Sequence, residues 1–225
     1  MKIDRRLDRV PRFDPESKRY GVMEVAPSRE LISKVHLIQT CLNQGREGAC
    51  VGFGITHALL AEPHMGDPLK YTAEFARTRI YYPAQESDPW PGGEYPGADP
   101  VYGGTSVLDG LKAAKTAGEI LSYRWAFSMD EILVGIGYFG PAIAGVDWYE
   151  GMQEPDSDGR IHVTGAKMGG HCTLISGFNK HRDELTIHNS WGKKWGKDGK
   201  AYISVSDFNK LRVGGEFAFI EKVKK

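Results

Sequence analysis

One cysteine, Cys50, lies where a polar, glycine-rich loop meets a long apolar segment. If that segment is a helix, the thiol sits in its first turn, where unpaired N–H groups and the helix dipole favour an anion. A cysteine in such a position ionises more easily, and the thiolate is the nucleophile. Gln44, six residues upstream, carries an amide that could donate a hydrogen bond to the same point. The alternative is an inert core cysteine, because free cysteine is among the most buried residue types.

Two later stretches supply groups that could work with such a thiol. The first, Gly169–Phe178, contains His171, and the second, Ile187–Gly196, contains Asn189. The two polar residues lie 121 and 139 positions after Cys50. Alone, each would be explained as a core histidine or a turn asparagine. Their joint occurrence with the cysteine loop favours a Cys–His–Asn set for nucleophilic catalysis.

Apolar periodicity and capping residues predict helices in the first part of the chain. The first helix runs from Cys50 to about Glu62, because Pro63 cannot continue it. The later helices are expected to begin at Thr72, at Thr105 as N-cap with a stop at Gly118, and at the capping box Ser128–Glu131.

The second part of the chain carries short β-branched and aromatic runs that predict strands. These runs are 141–146, 172–175, 184–187, 201–205 and 217–220, with a hairpin-type turn at 179–183. Helices followed by antiparallel strands indicate an α+β protein with two lobes. Cys50 would lie on the helical lobe, with His171 and Asn189 on the strand lobe. The site is therefore expected in the cleft between the lobes.

Three motifs in one order give the chain a family resemblance. A Gln44-Gly45 loop ending in Cys50, then Gly170-His171, then Asn189-Ser190-Trp191-Gly192, resembles the papain family of cysteine peptidases. The resemblance covers most of the chain from Gln44 onward. It implies a papain-like two-lobe fold, with a helical lobe, an antiparallel β-barrel-like lobe and the active site between them.

The resemblance also implies a role for each matching residue. Cys50 would attack the scissile carbonyl, and His171 would hold the thiolate as an ion pair and protonate the leaving amine. Asn189 would orient the imidazole ring. Gln44 and the Cys50 N–H would form the oxyanion hole. Trp191 would shield the contact between His171 and Asn189 from water. On these grounds we expect a strongly acidified Cys50 thiol.

Substrate-binding residues follow from the same resemblance. Gly103 and Gly104 would bind substrate backbone as an extended strand, and Gly170 and Trp191 are also expected to contact the substrate; the alternative is that the glycine pair only shapes the turn into the next helix. Two positions depart from the family pattern: Val51 replaces an aromatic residue, and Glu47 replaces a disulfide cysteine. Glu47 would oppose thiolate formation unless it points to solvent or pairs with Arg46.

The chain is expected to divide into an arm and two lobes that form one catalytic unit. Residues 1–30 form an N-terminal arm, 31–128 the mainly helical lobe and 129–225 the strand lobe. Family members often carry an N-terminal propeptide over the cleft. This segment is shorter than the usual helical propeptide, which favours a simple packed arm.

The predicted activity is that of a cysteine endopeptidase acting on peptides or proteins. Two alternatives use the same residues: a catalytically silent module that binds peptide, and an acyltransferase or amidase. Sequence cannot separate hydrolysis from transfer, because both pass through the same thioester. Ala144 and Gly145 would form part of a subsite wall that leaves room for a bulky apolar side chain.

Composition narrows the partners and the compartment. The 29 acidic and 29 basic residues cancel, so we expect neither nucleic acid nor membrane as a partner. No cofactor or metal is expected, since His57 and His64 lack further ligands at fixed spacing. Cys41 and Cys172 are either two thiols or one disulfide. The charged start without an apolar core and the few cysteines favour a cytoplasmic protein, with a secreted form whose leader was removed as the alternative. A monomer is expected, although the sequence does not determine the oligomeric state.

Overall fold

The computed structural model describes residues 7–24 and 29–221. Residues 1–6 and 25–28, which belong to the predicted arm, and residues 222–225 lie outside the described part. Within that part, no helix is both long and apolar enough to cross a bilayer.

An antiparallel seven-stranded sheet forms the centre of the molecule, in the order β2-β7-β3-β4-β5-β6, with β1 also pairing with β4. The strands are β1 (Lys34–Val35), β2 (Ser122–Trp125), β3 (Ala142–Tyr149), β4 (Lys167–Asn179), β5 (Glu184–His188), β6 (Lys200–Ser204) and β7 (Glu216–Glu221). The five predicted strands are all present as β3 to β7. β4 is much longer than predicted, and it carries the chain through the middle of the sheet.

The helices pack on both faces of this sheet. They are α1 (Cys50–Leu60), α2 (Ala73–Phe75), which continues through a π-helical turn (Ala76–Tyr81) into α3 (Tyr82–Ser87), α4 (Val107–Thr116), α5 (Met129–Tyr138) and α6 (Val205–Arg212). Every residue of α1 is buried, which explains why its sequence is apolar on all sides.

Side-chain hydroxyls begin four of the helices, including α6, which Ser204 caps. Thr72 and Ser128 cap α2 and α5 as predicted. The predicted N-cap of α4 is wrong by one residue: the Ser106 hydroxyl accepts the Asp109 N–H, whereas Thr105 donates its hydroxyl hydrogen to Asp88 at 2.8 Å. Thr105 and Ser106 both suit an N-cap, so the path of the backbone, and not the residue type, decides which of them caps α4.

Two buried clusters divide the core between the faces of the sheet. One contains α1, α4 and the residues of β3 and β4 that face them, and the other contains α5, α6 and three tryptophans. Alternation along β3 places Ile143 in the first cluster and Ala144 in the second. Packing in the first cluster thereby holds α1 against β4, the strand that bears His171. The fold is α+β, as predicted.

Candidate active site

Cys50 is the first residue of α1, and a buried polar network holds the loop that precedes it. Glu94 accepts hydrogen bonds from the Gly48 N–H at 2.9 Å and from the Tyr81 hydroxyl at 2.6 Å. Gln85 in turn accepts the Glu94 N–H at 2.8 Å. This network fixes the direction in which the loop delivers the cysteine to the helix.

The ring of His171, on β4, is buried and held on three sides. Its Nε2 lies 2.9 Å from Asn189 Oδ1. Trp191 stacks on the ring at a centroid distance of 4.7 Å, and Trp148 approaches edge-on at 4.8 Å. Asn189 Oδ1 also accepts the Ser190 N–H at 2.8 Å, which identifies this atom as the oxygen. The His171 Nε2 must therefore carry a hydrogen and donate it.

Helix α1 and strand β4 are in contact at the sulfur of Cys50. The Cys50 thiol receives a hydrogen bond from the backbone of Cys172, the residue that directly follows His171. Gln44 joins the two sides a second time: its N–H donates to the Ser190 carbonyl at 2.9 Å, and its Oε1 accepts the Ser190 hydroxyl at 2.6 Å. The structure thus brings the segment that carries Gln44 and Cys50 against the strand-side segments that carry His171 and Asn189.

The protonation of Cys50 differs from the prediction. Burial raises the pKa of this thiol to about 12, and Asp8 raises it further, while hydrogen bonds from Cys172 and Val51 and the charge of Arg9 act in the opposite direction. The expected strongly acidified thiol is wrong for this arrangement. The physical reason is desolvation, since the thiol has no exposed surface and an anion is disfavoured there.

The N-terminal arm runs beside the buried thiol, since the charges of Asp8 and Arg9 both act on the pKa of Cys50. Its Arg9 N–H donates to the Gly170 carbonyl at 2.9 Å on the strand side, and its Val10 N–H donates to the Thr105 carbonyl at 3.1 Å on the helical side. Asp8 forms a parallel bridge with Gly170. The described residues 8–10 of the arm therefore pack between Thr105, just before α4, and Gly170 on β4, whereas the predicted division into an arm and two lobes stays a prediction.

The glycines predicted to bind substrate have unequal contacts. Gly104, at φ +94°, would place a Cβ 1.7 Å from the Asp8 carbonyl oxygen, so only glycine allows this approach. Its own N–H donates to the Tyr81 hydroxyl at 2.8 Å, so it cannot donate to a peptide. With the arm in place, the Val10 N–H is instead accepted by the Thr105 carbonyl. The substrate-binding role of Gly103 and Gly104 stays a prediction. Gly103 is partly exposed.

The side chain of Arg9 is enclosed beside Gly145 and Glu216. Its Nη2 lies 2.8 Å from Glu216 Oε2 and 3.1 Å from the Gly214 carbonyl oxygen, and both side chains of the ion pair are buried. Gly145 provides the space for the Arg9 side chain, since a Cβ at this position would lie 2.8 Å from Arg9 Nε. Ala144 faces the opposite core cluster. Gly145 thus lies beside a charged side chain, whereas Ala144 lies in the opposite cluster, and the predicted preference for a bulky apolar side chain stays a prediction.

Sequence reasoning missed several residues of this site. Glu216 begins an apolar strand, and a carboxylate at that position is ordinarily read as a solvated strand end. Trp148 and Ser190 were also missed. The alternation of β3 could have indicated that Trp148 is buried, and the position directly after Asn189 could have indicated Ser190. Glu47 pairs with Arg77 rather than Arg46, so its charge is neutralised by an unexpected partner.

The cysteine and metal questions have simple answers in the described residues. Cys41, Cys50 and Cys172 are all free thiols, so the disulfide alternative does not apply. Residues 7–24 and 29–221 contain no group of three or more histidine, cysteine or acidic side chains arranged to hold a metal ion.

Comparisons with known proteins place this arrangement in a structural class. The chain is 31% identical to cathepsin B of Dictyostelium discoideum over 86 residues, which is 37% of this chain and 28% of that protein. It superimposes on the crystal structure of xylellain, a cysteine protease from Xylella fastidiosa, with a TM-score of 0.70 and 16% identity, covering 100% of this chain and 98% of that one. The bromelain protease of Ananas comosus, in complex with the E64 inhibitor, gives a TM-score of 0.54 and 12% identity over 84% of this chain and 100% of that one. No family model matches.

These likenesses define the fold. The chain has the fold of the papain-like cysteine proteases, and the resemblance predicted from the sequence is confirmed at that level. The matched segments cover less than a third of the length of the curated relatives.

Proposed function

We propose that this protein is a papain-like cysteine peptidase that hydrolyses peptide bonds in peptides or proteins. The observation that carries the proposal is the meeting of two separately built groups. A thiol at the N-terminus of α1 accepts a hydrogen bond from Cys172, directly beside His171, whose ring is oriented by Asn189. Nucleophile, base and orienting group are the three parts that nucleophilic catalysis requires.

In the proposed reaction, the Cys50 sulfur attacks the carbonyl carbon of the scissile bond. The oxyanion accepts hydrogen bonds from the Cys50 N–H and from Gln44 Nε2, which has two hydrogens and gives one to the Glu47 carbonyl at 2.9 Å. Because His171 Nε2 is bonded to Asn189, its Nδ1 transfers the proton that the thiol loses to the leaving amine. Water then attacks the thioester, His171 accepts its proton, and the acid leaves as the thiol is restored.

Substrate binding requires the arm to leave the cleft, since Asp8 and Arg9 occupy the space beside Gly104 and Gly170. Departure of the arm would admit water to the sulfur and remove the Asp8 carboxylate, and both changes lower the pKa of Cys50; it would also remove the Arg9 charge, which acts in the opposite direction. Because burial is the largest cause of the raised pKa, we expect the thiol pKa to fall when the arm leaves the cleft.

Alkylation and hydrolysis together test the proposal. Full-length protein is treated with E64 or iodoacetamide across pH, the modified cysteine is mapped by mass spectrometry, and cleavage of a peptide library is measured beside Cys50→Ser. Cys41 and Cys172 serve as internal controls. We expect Cys50 to react fastest, well below pH 8.5, and hydrolysis to require it.

The other outcomes select the alternatives. Reactivity that rises only at about pH 8.5, the range of an ordinary thiol, together with no cleavage by either the wild type or Arg9→Ala, would show a silent peptide-binding module. Amide products in the presence of added amines, with little free acid, would show an acyltransferase.

A further inference from the structure

The arm shows how the cleft receives a peptide. It is bonded to the helical side through Thr105 and to the strand side through Gly170, so a backbone lies between the two lobes. Its Arg9 side chain leaves this backbone and enters the pocket bounded by Gly145 and Glu216. The side chain of the arm therefore fills the space beside Gly145 and Glu216.

The contacts of Arg9 are those of a site built for a cation. Nε and Nη2 both approach Glu216 Oε2, at 3.0 and 2.8 Å, and Nη2 also donates to the Gly214 carbonyl. Glu216 Oε1 accepts the Arg12 N–H at 3.4 Å. The exposed fractions of the two side chains are 0% and 1%. By contrast, the Arg12 guanidinium that reaches Asp109 is one-third exposed.

A buried carboxylate makes the subsite selective. Burial raises the pKa of Glu216 to about 7, and the nearby Asp109 adds to this, while Arg9 and the Arg12 N–H lower it. An apolar side chain in the pocket would leave Glu216 without a cation, and a lone buried charge is strongly disfavoured. A guanidinium or ammonium group removes that penalty.

We propose, on the basis of the proposed peptidase function, that Glu216 is a specificity-determining residue, and that its pocket selects an arginine or lysine side chain of the substrate. Arg9 is the resident occupant of this subsite and competes with the substrate for it. Substrates with a basic residue at this position displace the arm, whereas those with an apolar residue lose the contact with Glu216.

A binding assay tests this proposal without requiring catalysis. Full-length Arg9→Ala, which vacates the pocket, is titrated with a fluorescein-labelled peptide of sequence Leu-Asp-Arg-Val-Pro-Arg, taken from residues 7–12. The comparison peptides carry leucine or citrulline in place of the first arginine. We expect the arginine peptide to bind about ten- to a hundredfold more tightly than either, as loss of a charged hydrogen bond implies.

A matched pair of variants assigns the effect to one carboxylate. Glu216→Gln should reduce the preference for arginine to less than threefold. Glu221→Gln, on the same strand but paired with Arg124 outside the cleft, should keep the full preference. Thermal melting identifies any variant that fails to fold, and the peptide comparison itself needs no change at Glu216.

The outcomes separate the two proposals. Equal binding of the arginine and leucine peptides would overturn the role of Glu216, even if the protein cleaves peptides with an apolar residue at this position. Tight, Glu216-dependent binding without any Cys50-dependent cleavage would support the subsite and refute the peptidase.

Discussion

Two buried histidine sites lie side by side in this molecule, and they differ in what surrounds the ring. His171 has a hydrogen-bond acceptor, Asn189, and stacks on Trp191. His57 and His188 meet edge-on at a centroid distance of 4.5 Å. Among the described residues, neither ring nitrogen of His188 has a hydrogen-bond partner, and the Nδ1 of His57 has none either. The two sites adjoin, since His188 directly precedes Asn189.

The difference shows that partners, rather than burial, suit a histidine to proton transfer. Burial lowers the pKa of His188 to about 3, with Lys200 adding to the effect, and it lowers the pKa of His57 well below the usual value. His57 Nε2 accepts the Leu42 N–H at 2.9 Å, which a protonated nitrogen could not do. This pair is kept neutral. Asn189, by contrast, accepts from His171 whether the ring is neutral or charged.

The largest expected effect is a loss of activity that occurs on replacing His171 and not on replacing His188. His171→Ala is expected to lower kcat/KM for a peptide substrate by about 10³-fold or more, as loss of a triad member does. His188→Leu should stay within about threefold of the wild type, since His188 only fills space beside Asn189. Steady-state kinetics on folded protein measure both. A loss in His188→Leu as large as that in His171→Ala would break the comparison.

The second effect concerns stability against acid. Because the folded pKa of His188 lies below its unfolded value, the unfolded chain binds more protons, and stability falls as the pH drops from about 6.5 towards 3. The expected loss is about 1.4 kcal/mol for each pH unit in that range. In His188→Leu, the unfolding free energy measured in urea should therefore fall less steeply between pH 6.5 and 4, by the contribution of this one histidine.

The control for that measurement is His181→Leu, at an exposed position in the turn between β4 and β5. Its pH dependence of unfolding should match the wild type. An unchanged slope in His188→Leu would mean that the buried pair is already protonated in the fold.

A smaller effect tests how the ring of His171 is oriented. Asn189→Ala removes the acceptor at Nε2 and should lower kcat by about ten- to a hundredfold, which is part of the usual contribution of acid–base catalysis. Asn189→Asp keeps an acceptor there and should recover most of the rate, with a shifted alkaline limb in the pH profile of kcat. Equal loss in both variants would indicate a packing role only.

The smallest effect concerns the tryptophans around His171. Trp191→Phe should lower kcat/KM about two- to tenfold, the size expected for weakening one aromatic stacking contact of about 0.5–1.5 kcal/mol. Trp195 belongs to the same cluster and contacts Trp148 and Trp191, but it makes no ring contact with His171 within the described part of the chain. Trp195→Phe should therefore reduce the melting temperature without changing kcat/KM.

Local signals predicted much of the fold. The capping residues Thr72 and Ser128 begin helices where expected, because a cap is a contact over three residues. β2 and α6 were missed. α6 begins at Val205, in a run that reads as the end of a strand, and only the Ser204 hydroxyl bonded to the Asp207 N–H marks the change. Short segments of mixed pattern are decided by packing, which a local window does not contain.

The sequence by itself determined the fold class and the residues that could perform the chemistry, because Cys50, His171 and Asn189 stand in motifs whose order can be read along the chain. Tertiary structure alone decided the charge state and the pocket. Arg9 of the arm and the Glu216 carboxylate that pairs with it are separated by more than two hundred residues. A pKa and a subsite depend on which groups exclude water from one another, and that is fixed only when the chain has folded.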